Sequence, residues 1–313
     1  MEYRNLGRSG LQVSTIGLGC NNFGMRCDYD QTAAVVNKAL DLGITLFDTA
    51  DVYGGQGKSE EFLGKALGSH RQDVIVATKF ASPMGDGPLK RGASRRYIMS
   101  ACEASLRRLN TDYIDLYQIH RPDPATPIEE TMSALDDLVT AGKVRYIGHS
   151  NFSGWQTAEA HYVAQRDRLT PFISAQNEYS LIDRRVEGEL VPAVQKYEVS
   201  VLPFFPLASG FLTGKYRQGE ELPEGTRLAG AGPMANRLLN DRNFETLRKL
   251  ERFAQEHNHS MLELALGWLA NKPYVGSVIA GATRPEQVEQ NAAAGDWKMT
   301  ADEMAEVDAL AKR

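Results

Sequence analysis

DYIDLYQIHRPDPATPIEETMSALDDLVTAGKVRYIGHS, residues 112–150, encloses one amphipathic stretch, Ile128 to Ala141, between two short apolar runs, Ile114 to Gln118 and Val144 to His149. The runs have strand length and carry β-branched and aromatic residues, whereas apolar positions in the stretch between them recur at helical spacing. Gly142 stands just past the last apolar position, where a left-handed helix cap needs a residue without a Cβ. A strand, a helix and a second strand in that order make the two strands parallel, joined by a right-handed crossover.

The same unit repeats along the chain. Further strands are predicted at Ile16-Gly17, Leu46 to Asp48, Val74 to Lys79, Phe172 to Gln176, Val201 to Phe204 and Val275 to Ile279, which makes eight with the two above. Helices are expected near Gln31 to Leu42, Ser59 to Leu67, Arg95 to Leu109, Ser153 to Arg166, Val186 to Tyr197, Arg242 to Ala270 in two pieces, and Pro285 to Asn291. Gly43 punctuates the first as Gly142 does the central one, and Thr300 with Glu303 forms a capping box for a last helix. An N-terminal β-hairpin, Tyr3 to Leu6 and Leu11 to Val13, precedes the repeats. Eight such units predict an α/β chain folded as a (β/α)8 TIM barrel in a single domain over residues 1–313, with an open doubly wound sheet as the alternative. Residues 209–240, rich in Gly, Pro and polar side chains, carry no convincing strand or helix. So long a connection after the seventh strand suits a lid or binding loop.

Composition narrows the function classes. Hydrophobic residues make up 42% and charged residues 24% of 313, the balance of a globular chain. A net charge of -5, without blocks of one sign, suggests neither a nucleic-acid nor a membrane-surface partner. The N-terminus is charged from Glu2 and lacks a secretory pattern. Three cysteines at odd spacing fit a reducing, cytoplasmic compartment better than a disulfide framework or a metal site.

In a barrel the chemistry lies at the carboxyl ends of the strands. Asp48, followed by Tyr53, ends the second run; Lys79 ends the third and His120 follows the fourth. Ser150-Asn151 and Asn177 follow the fifth and sixth. Alone, each has a bland explanation as a turn cap, a solvated amine or a wall residue. Together they suggest proton transfer without a nucleophile. A free phenol titrates near 10. An adjacent ammonium lowers that value, and a carboxylate fixes the ammonium. Such a chain from Asp48 through Lys79 to Tyr53, with His120 orienting an oxygen, suits a carbonyl that accepts a hydride. A Schiff-base role for Lys79 is an alternative that the Asp48 and Tyr53 pairing disfavours.

Nine ordered stretches then carry a family resemblance. They are GLGCNNFG (17–24), FDTADVYG (47–54), GKSEEFLGKAL (57–67), VIVATKF (74–80), DLYQIHRPDP (115–124), GKVRYIGHSNF (142–152), AQNEYSL (175–181), PLASGFLTGKY (206–216) and VIAGATRPEQVEQN (278–291). The chain resembles the aldo-keto reductases over nearly its whole length, most closely the branch that also holds voltage-gated potassium channel β subunits and bacterial aldo-keto reductases. The resemblance implies a (β/α)8 barrel that reduces aldehydes or ketones with NADPH, reversibly, and it places the four catalytic residues at Asp48, Tyr53, Lys79 and His120. Tyr53 would be the general acid. The channel subunits carry Asn where this chain has His120, which favours an ordinary enzyme over an NADPH-holding sensor or auxiliary subunit.

The resemblance also implies the cofactor contacts. Ser150, Asn151 and Gln176 match positions that hold the nicotinamide carboxamide, and Phe204 matches the aromatic stacked on its ring. Gly19, Cys20, Asn21 and Asp48 are also expected to contact the cofactor. Pro206, Leu207, Gly210, Gly214 and Lys215 match the loop over the pyrophosphate, and Phe205, just before them, is also expected at the cofactor. Gly281, Thr283, Arg284, Gln287, Gln290 and Asn291 match the adenosine end, where Arg284 suits a 2′-phosphate. Phe205 stands where Ser or Asn is usual, and Ala280 where Pro is. Met25, Tyr29 and Met84 are expected to give the substrate pocket an adaptable apolar wall. Gly17-x-Gly19 lacks the rest of a Rossmann fingerprint, and His257 with His259 has no further ligands around it for a metal.

Overall fold

A computed structural model describes residues 1–230 and 232–312. Its hairpin pairs β1 (Tyr3–Asn5) antiparallel with β2 (Gln12–Ser14), Arg4 opposite Val13. Eight parallel strands follow: β3 (Ile16–Gly19), β4 (Leu46–Asp48), β5 (Ile75–Phe80), β6 (Ile114–Ile119), β7 (Val144–Ser150), β8 (Phe172–Glu178), β9 (Ser200–Phe204) and β10 (Val278–Gly281). Each pairs with the next in sequence, and β10 returns to β3, with Val278 opposite Ile16. The remaining seam, between β9 and β10, is bridged by Val201 and Val275: the Val201 N–H donates to Tyr274 O at 2.7 Å, and the Gly276 N–H to Val201 O at 2.9 Å. The strands form a nearly closed (β/α)8 TIM barrel, as the repeat predicts.

Helices flank it: α1 (Tyr29–Asp41), α2 (Tyr53–Gln56, a single turn), α3 (Lys58–Leu67), α4 (Arg95–Leu109), α5 (Ile128–Thr140), α6 (Gly154–Asp167), α7 (Leu190–Tyr197), α8 (Pro233–Leu238), α9 (Asp241–Glu256), α10 (Met261–Ala270), α11 (Pro285–Ala294) and α12 (Ala301–Leu310). In α5, Met132, Leu135 and Leu138 turn one face to the strands. Gly43 and Gly142 take φ of 73° and 72° just past α1 and α5. Thr300 and Glu303 cap α12 reciprocally. The barrel interior packs Leu46, Ala77, Leu116, Ile173, Leu202 and Ile279 against Leu6 and Val13, so the hairpin plugs one end and leaves the other to the chemistry.

Three expectations need correction. The last strand is Val278–Gly281 rather than Val275 to Ile279, because Val275 and Gly276 close the seam on β9 before the chain crosses to β3. The helix expected from Val186 begins with a 3₁₀ turn, Arg185–Glu187, and its α-helical part starts at Leu190. Residues 209–240 are not featureless. They include part of the 3₁₀ segment Ala208–Thr213, a 3₁₀ turn at Leu228–Gly230, and α8 with Pro233 at its start. Elements this short have little intrinsic stability. Tertiary anchors hold α8: Arg237 pairs with Glu178 at the end of β8 and with Asp183 at 3.5 Å.

Candidate active site

The backbone beyond β4 keeps following β5. The Thr49 N–H donates to Ala77 O at 2.8 Å and the Asp51 N–H to Lys79 O at 3.1 Å, which carries the next turn, with Tyr53, alongside Lys79. Gly54 completes that turn at φ 72°. A Cβ there would meet Phe23 O at 2.6 Å and Ser59 N at 2.7 Å, so only glycine fits.

Lys79 is fully buried. Its Nζ donates to Asp48 Oδ2 at 2.6 Å and to Thr49 O at 2.8 Å. Asp48 Oδ1 accepts from Gln176 Nε2 at 2.7 Å and from Gln118 Nε2 at 3.3 Å. The buried carboxylate is thus bonded at both oxygens, as a charge removed from water requires. Burial works against the Lys79 charge, but Asp48 and then Tyr53 outweigh it and raise the ammonium above its ordinary value. The ammonium sits 5.0 Å from the Tyr53 ring centroid, and that ring meets His120 edge-on at 5.7 Å.

The expected effect on Tyr53 needs qualification. Burial is the largest influence and pushes the phenol up. Lys79 pulls it down without overcoming burial, and Asp48 adds to the rise. Tyr53 therefore keeps its proton at neutral pH and is poised to donate. His120 is driven the other way, down to about 3, by burial and by the Lys79 and Arg121 charges, so its imidazole is neutral.

These groups open onto a cleft of about 920 Å³. Of the catalytic and cofactor residues expected from the sequence, all line it except Lys79, which lies behind Asp48 and Tyr53, and Gly214, which caps the 3₁₀ segment at φ 73°. Asp48, Tyr53, His120, Ser150, Asn151, Gln176 and Phe204 share the cleft with Thr283 and Arg284, in the turn after β10, and with Gln287 and Asn291 on α11. Some of the polar heads already have partners. Ser150 Oγ donates to Gln176 O at 2.8 Å, Asn151 Nδ2 to His120 O at 2.9 Å, and Gln287 Oε1 accepts from Thr283 N at 2.8 Å. Cys20 is buried, which pushes its thiol well up and leaves it inert.

Asn22, Arg26 and Arg227 also line the cleft and were not read from the sequence. Arg227 donates to Asn22 Oδ1 at 3.0 Å and lies 5.6 Å from the Phe205 ring. Burial lowers its pKa and the charge of Arg26 lowers it further. Among the described residues, Arg26, Lys215 and Arg227 have no carboxylate partner. Unpaired cations, together with the Arg284-Pro285 start of a ten-residue helix, are chemistry for a phosphate-bearing ligand. The lining therefore fits a dinucleotide phosphate. Phe205 takes φ 52°, a strained value for an aromatic residue, and packs edge-on against Phe204.

Met25, Tyr29 and Met84 do not line the cleft. Met25 is 74% exposed, and Tyr29 packs edge-on against Phe62 with Lys65 over its ring. His259 stacks on Trp297 at 3.8 Å and His257 on Phe253 at 4.2 Å. Among the described residues, no three His, Cys, Asp or Glu side chains are grouped to hold a metal, and no helix is long and apolar enough to cross a membrane.

A β/α barrel with a buried carboxylate–ammonium pair beneath a phenol and an imidazole belongs to the barrel class of acid–base sites. Comparison with known proteins makes this specific. The profile of the Aldo/keto reductase family matches residues 15–312, and the chain belongs to that family. It is 40% identical over 303 residues to a probable voltage-gated potassium channel subunit beta of Oryza sativa subsp. japonica, covering 95% of this chain and 92% of the rice protein. It is 36% identical to L-glyceraldehyde 3-phosphate reductase of Escherichia coli O157:H7 (98% and 92% covered) and 35% identical to an aldo-keto reductase of Bacillus subtilis (99% and 93% covered). Relatives thus include oxidoreductases, and the family generally uses NAD(P)H.

Proposed function

We propose that the protein is an NADPH-dependent reductase of aldehydes or ketones, reversible as an alcohol dehydrogenase, with Tyr53 as its general acid. One observation carries the reading: Asp48, Lys79, Tyr53 and His120 converge on a cleft that also presents unpaired cations and the start of α11. Bound reduced nicotinamide would supply a hydride to the carbonyl carbon. Tyr53 gives its proton to the carbonyl oxygen, Lys79 stabilises the phenolate left behind, and Asp48 holds Lys79 in place. Neutral His120 donates an N–H to the same oxygen and adds no positive charge. Ser150, Asn151 and Gln176 take the carboxamide and Phe204 the ring. The loop with Phe205, Pro206, Leu207, Gly210, Gly214 and Lys215 covers the pyrophosphate, joined by Arg227. Three buried, unpaired thiols suit a reducing cytoplasm.

The test is a panel of carbonyls and alcohols followed through reduced-nicotinamide absorbance with both cofactors. The rice relative's name supports a second reading, an NADPH-holding auxiliary subunit. Tight NADPH binding without turnover on any carbonyl would favour it.

NADPH should bind more tightly than NADH. A charge-assisted hydrogen bond to phosphate contributes about 1.5–3 kcal/mol, roughly tenfold or more in affinity. Arg284→Ala should remove most of that preference while leaving NADH affinity nearly unchanged. Equal dissociation constants for the two cofactors in the wild-type protein would overturn the assignment.

A further inference from the structure

His120 has two ring nitrogens, and a neutral imidazole carries only one proton between them. Which nitrogen holds it decides whether the ring gives or takes a hydrogen bond in the cleft. The deciding partner lies just past the end of the neighbouring strand. Ser82, buried two residues past β5, has its Oγ 3.2 Å from His120 Nδ1.

The backbone is shaped to put it there. Ala81 takes φ 88°, a left-handed value that a residue with a Cβ rarely adopts. The turn is fixed on both sides, since the Gly92 N–H donates to Ala81 O at 3.1 Å and the His120 N–H to Phe80 O at 2.9 Å. Tyr97 Oη donates to Ser82 O at 3.4 Å, and Asn151 Nδ2 holds His120 O.

The Ser82 hydroxyl also receives a long hydrogen bond, 3.5 Å, from Arg121 Nη2. A guanidinium only donates, so it leaves the hydroxyl proton in need of an acceptor. Among the described residues, His120 Nδ1 is the acceptor within reach of Ser82 Oγ. With Nδ1 accepting, the ring proton sits on Nε2, for which no protein partner is found among the described residues.

We infer that Ser82 is a positioning residue that holds His120 in the Nε2–H tautomer, so that the imidazole donates a hydrogen bond into the cleft. The tautomer assignment stands on the hydrogen-bond geometry of the neutral imidazole. Its consequence for turnover rests on the carbonyl-reductase reading above.

The experiment is histidine-selective ¹⁵N NMR on the full chain, with His120→Asn to identify the His120 signals among the six histidines. The wild-type ring should show a protonated Nε2 and a bare Nδ1. Ser82→Ala should shift His120 towards the Nδ1–H form or a mixture, and Ser82→Thr, which keeps the hydroxyl, should restore the wild-type pattern. The kcat of Ser82→Ala should fall roughly three- to tenfold, the worth of one neutral hydrogen bond, with NADPH affinity unchanged and Ser82→Thr near normal. An Nδ1–H ring in the wild type, or an undisturbed Nε2–H ring in Ser82→Ala, overturns the inference. A tautomer that moves as expected in a protein that reduces no carbonyl upholds the Ser82 role and refutes the proposed reaction instead.

Discussion

Tyr53→Phe should lower kcat by about 10² to 10⁴, the usual contribution of a positioned general acid, and leave NADPH affinity nearly unchanged. The substitution keeps the ring that lies 5.0 Å from Lys79 Nζ and edge-on to His120, and removes only the hydroxyl. The Lys79–Asp48 pair survives it, since Asp48 Oδ2, Thr49 O and both glutamine amides stay in place. A loss of turnover would then belong to the proton and not to a collapsed site, which thermal unfolding of the variant checks. Because burial keeps the phenol protonated in spite of Lys79, reduction should run at full rate across neutral pH, and oxidation of alcohols, which needs the phenolate, should speed up as pH rises. Near-normal turnover in Tyr53→Phe, with the hydride step shown to limit by a deuterium isotope effect, would move the proton donor to His120.

The sequence exposed the parts of this site that sit on regular elements. Asp48 and Lys79 end apolar runs, and the crossover rule puts the ends of parallel strands on one rim. Their meeting at 2.6 Å follows from the barrel predicted by residues 112–150. The partners that make the buried pair tolerable were harder to see. Gln118 reads as one more residue of a strand. Gln176 was expected to face a carboxamide, yet its amide also donates to Asp48. Both depend on how side chains tilt inside the barrel, which periodicity does not encode. The long connection after β9 was opaque for another reason. Arg227 reaches Asn22 across 205 residues of sequence, and no local pattern signals such a contact. The apolar wall expected from Met25, Tyr29 and Met84 failed because composition says which side chains a loop carries and not which way they face. Phe205 is the opposite case. Its identity already departed from the family pattern, and the backbone strain at φ 52° marks the same position.

The contribution of Asp51 to the unfolding free energy should fall as pH rises from about 4 to about 8, and Asp51→Asn should remove that fall. Asp51 is 1% exposed and, among the described residues, neither carboxylate oxygen has a hydrogen bond of good geometry. Burial is the main cause that pushes its carboxyl up to about 8; nearby Glu60 adds to this, and Arg108, the Val52 N–H and Lys79 oppose it. The folded protein therefore keeps a proton that the unfolded chain releases near 3.8. Between those two values the native state binds more protons than the unfolded state, so stability declines with pH and the full penalty is reached above the folded value. A tenfold change in proton affinity corresponds to about 1.4 kcal/mol, which puts that penalty on the order of 5 kcal/mol. Asparagine preserves the shape and cannot ionise. Urea unfolding of both proteins from about pH 5 to about pH 9 should give a stability difference that grows in favour of the variant. Taking the difference cancels the other buried groups with shifted pKa, such as Asp115, which burial pushes up, and His120, which burial pushes down. A difference flat with pH would mean that Asp51 is already ionised in the fold, compensated by Arg108. The position also bears on chemistry. Asp51 stands two residues before Tyr53, and a neutral carboxyl there spares the phenol and Lys79 a second neighbouring anion, so Asp51→Asn should leave turnover at neutral pH intact.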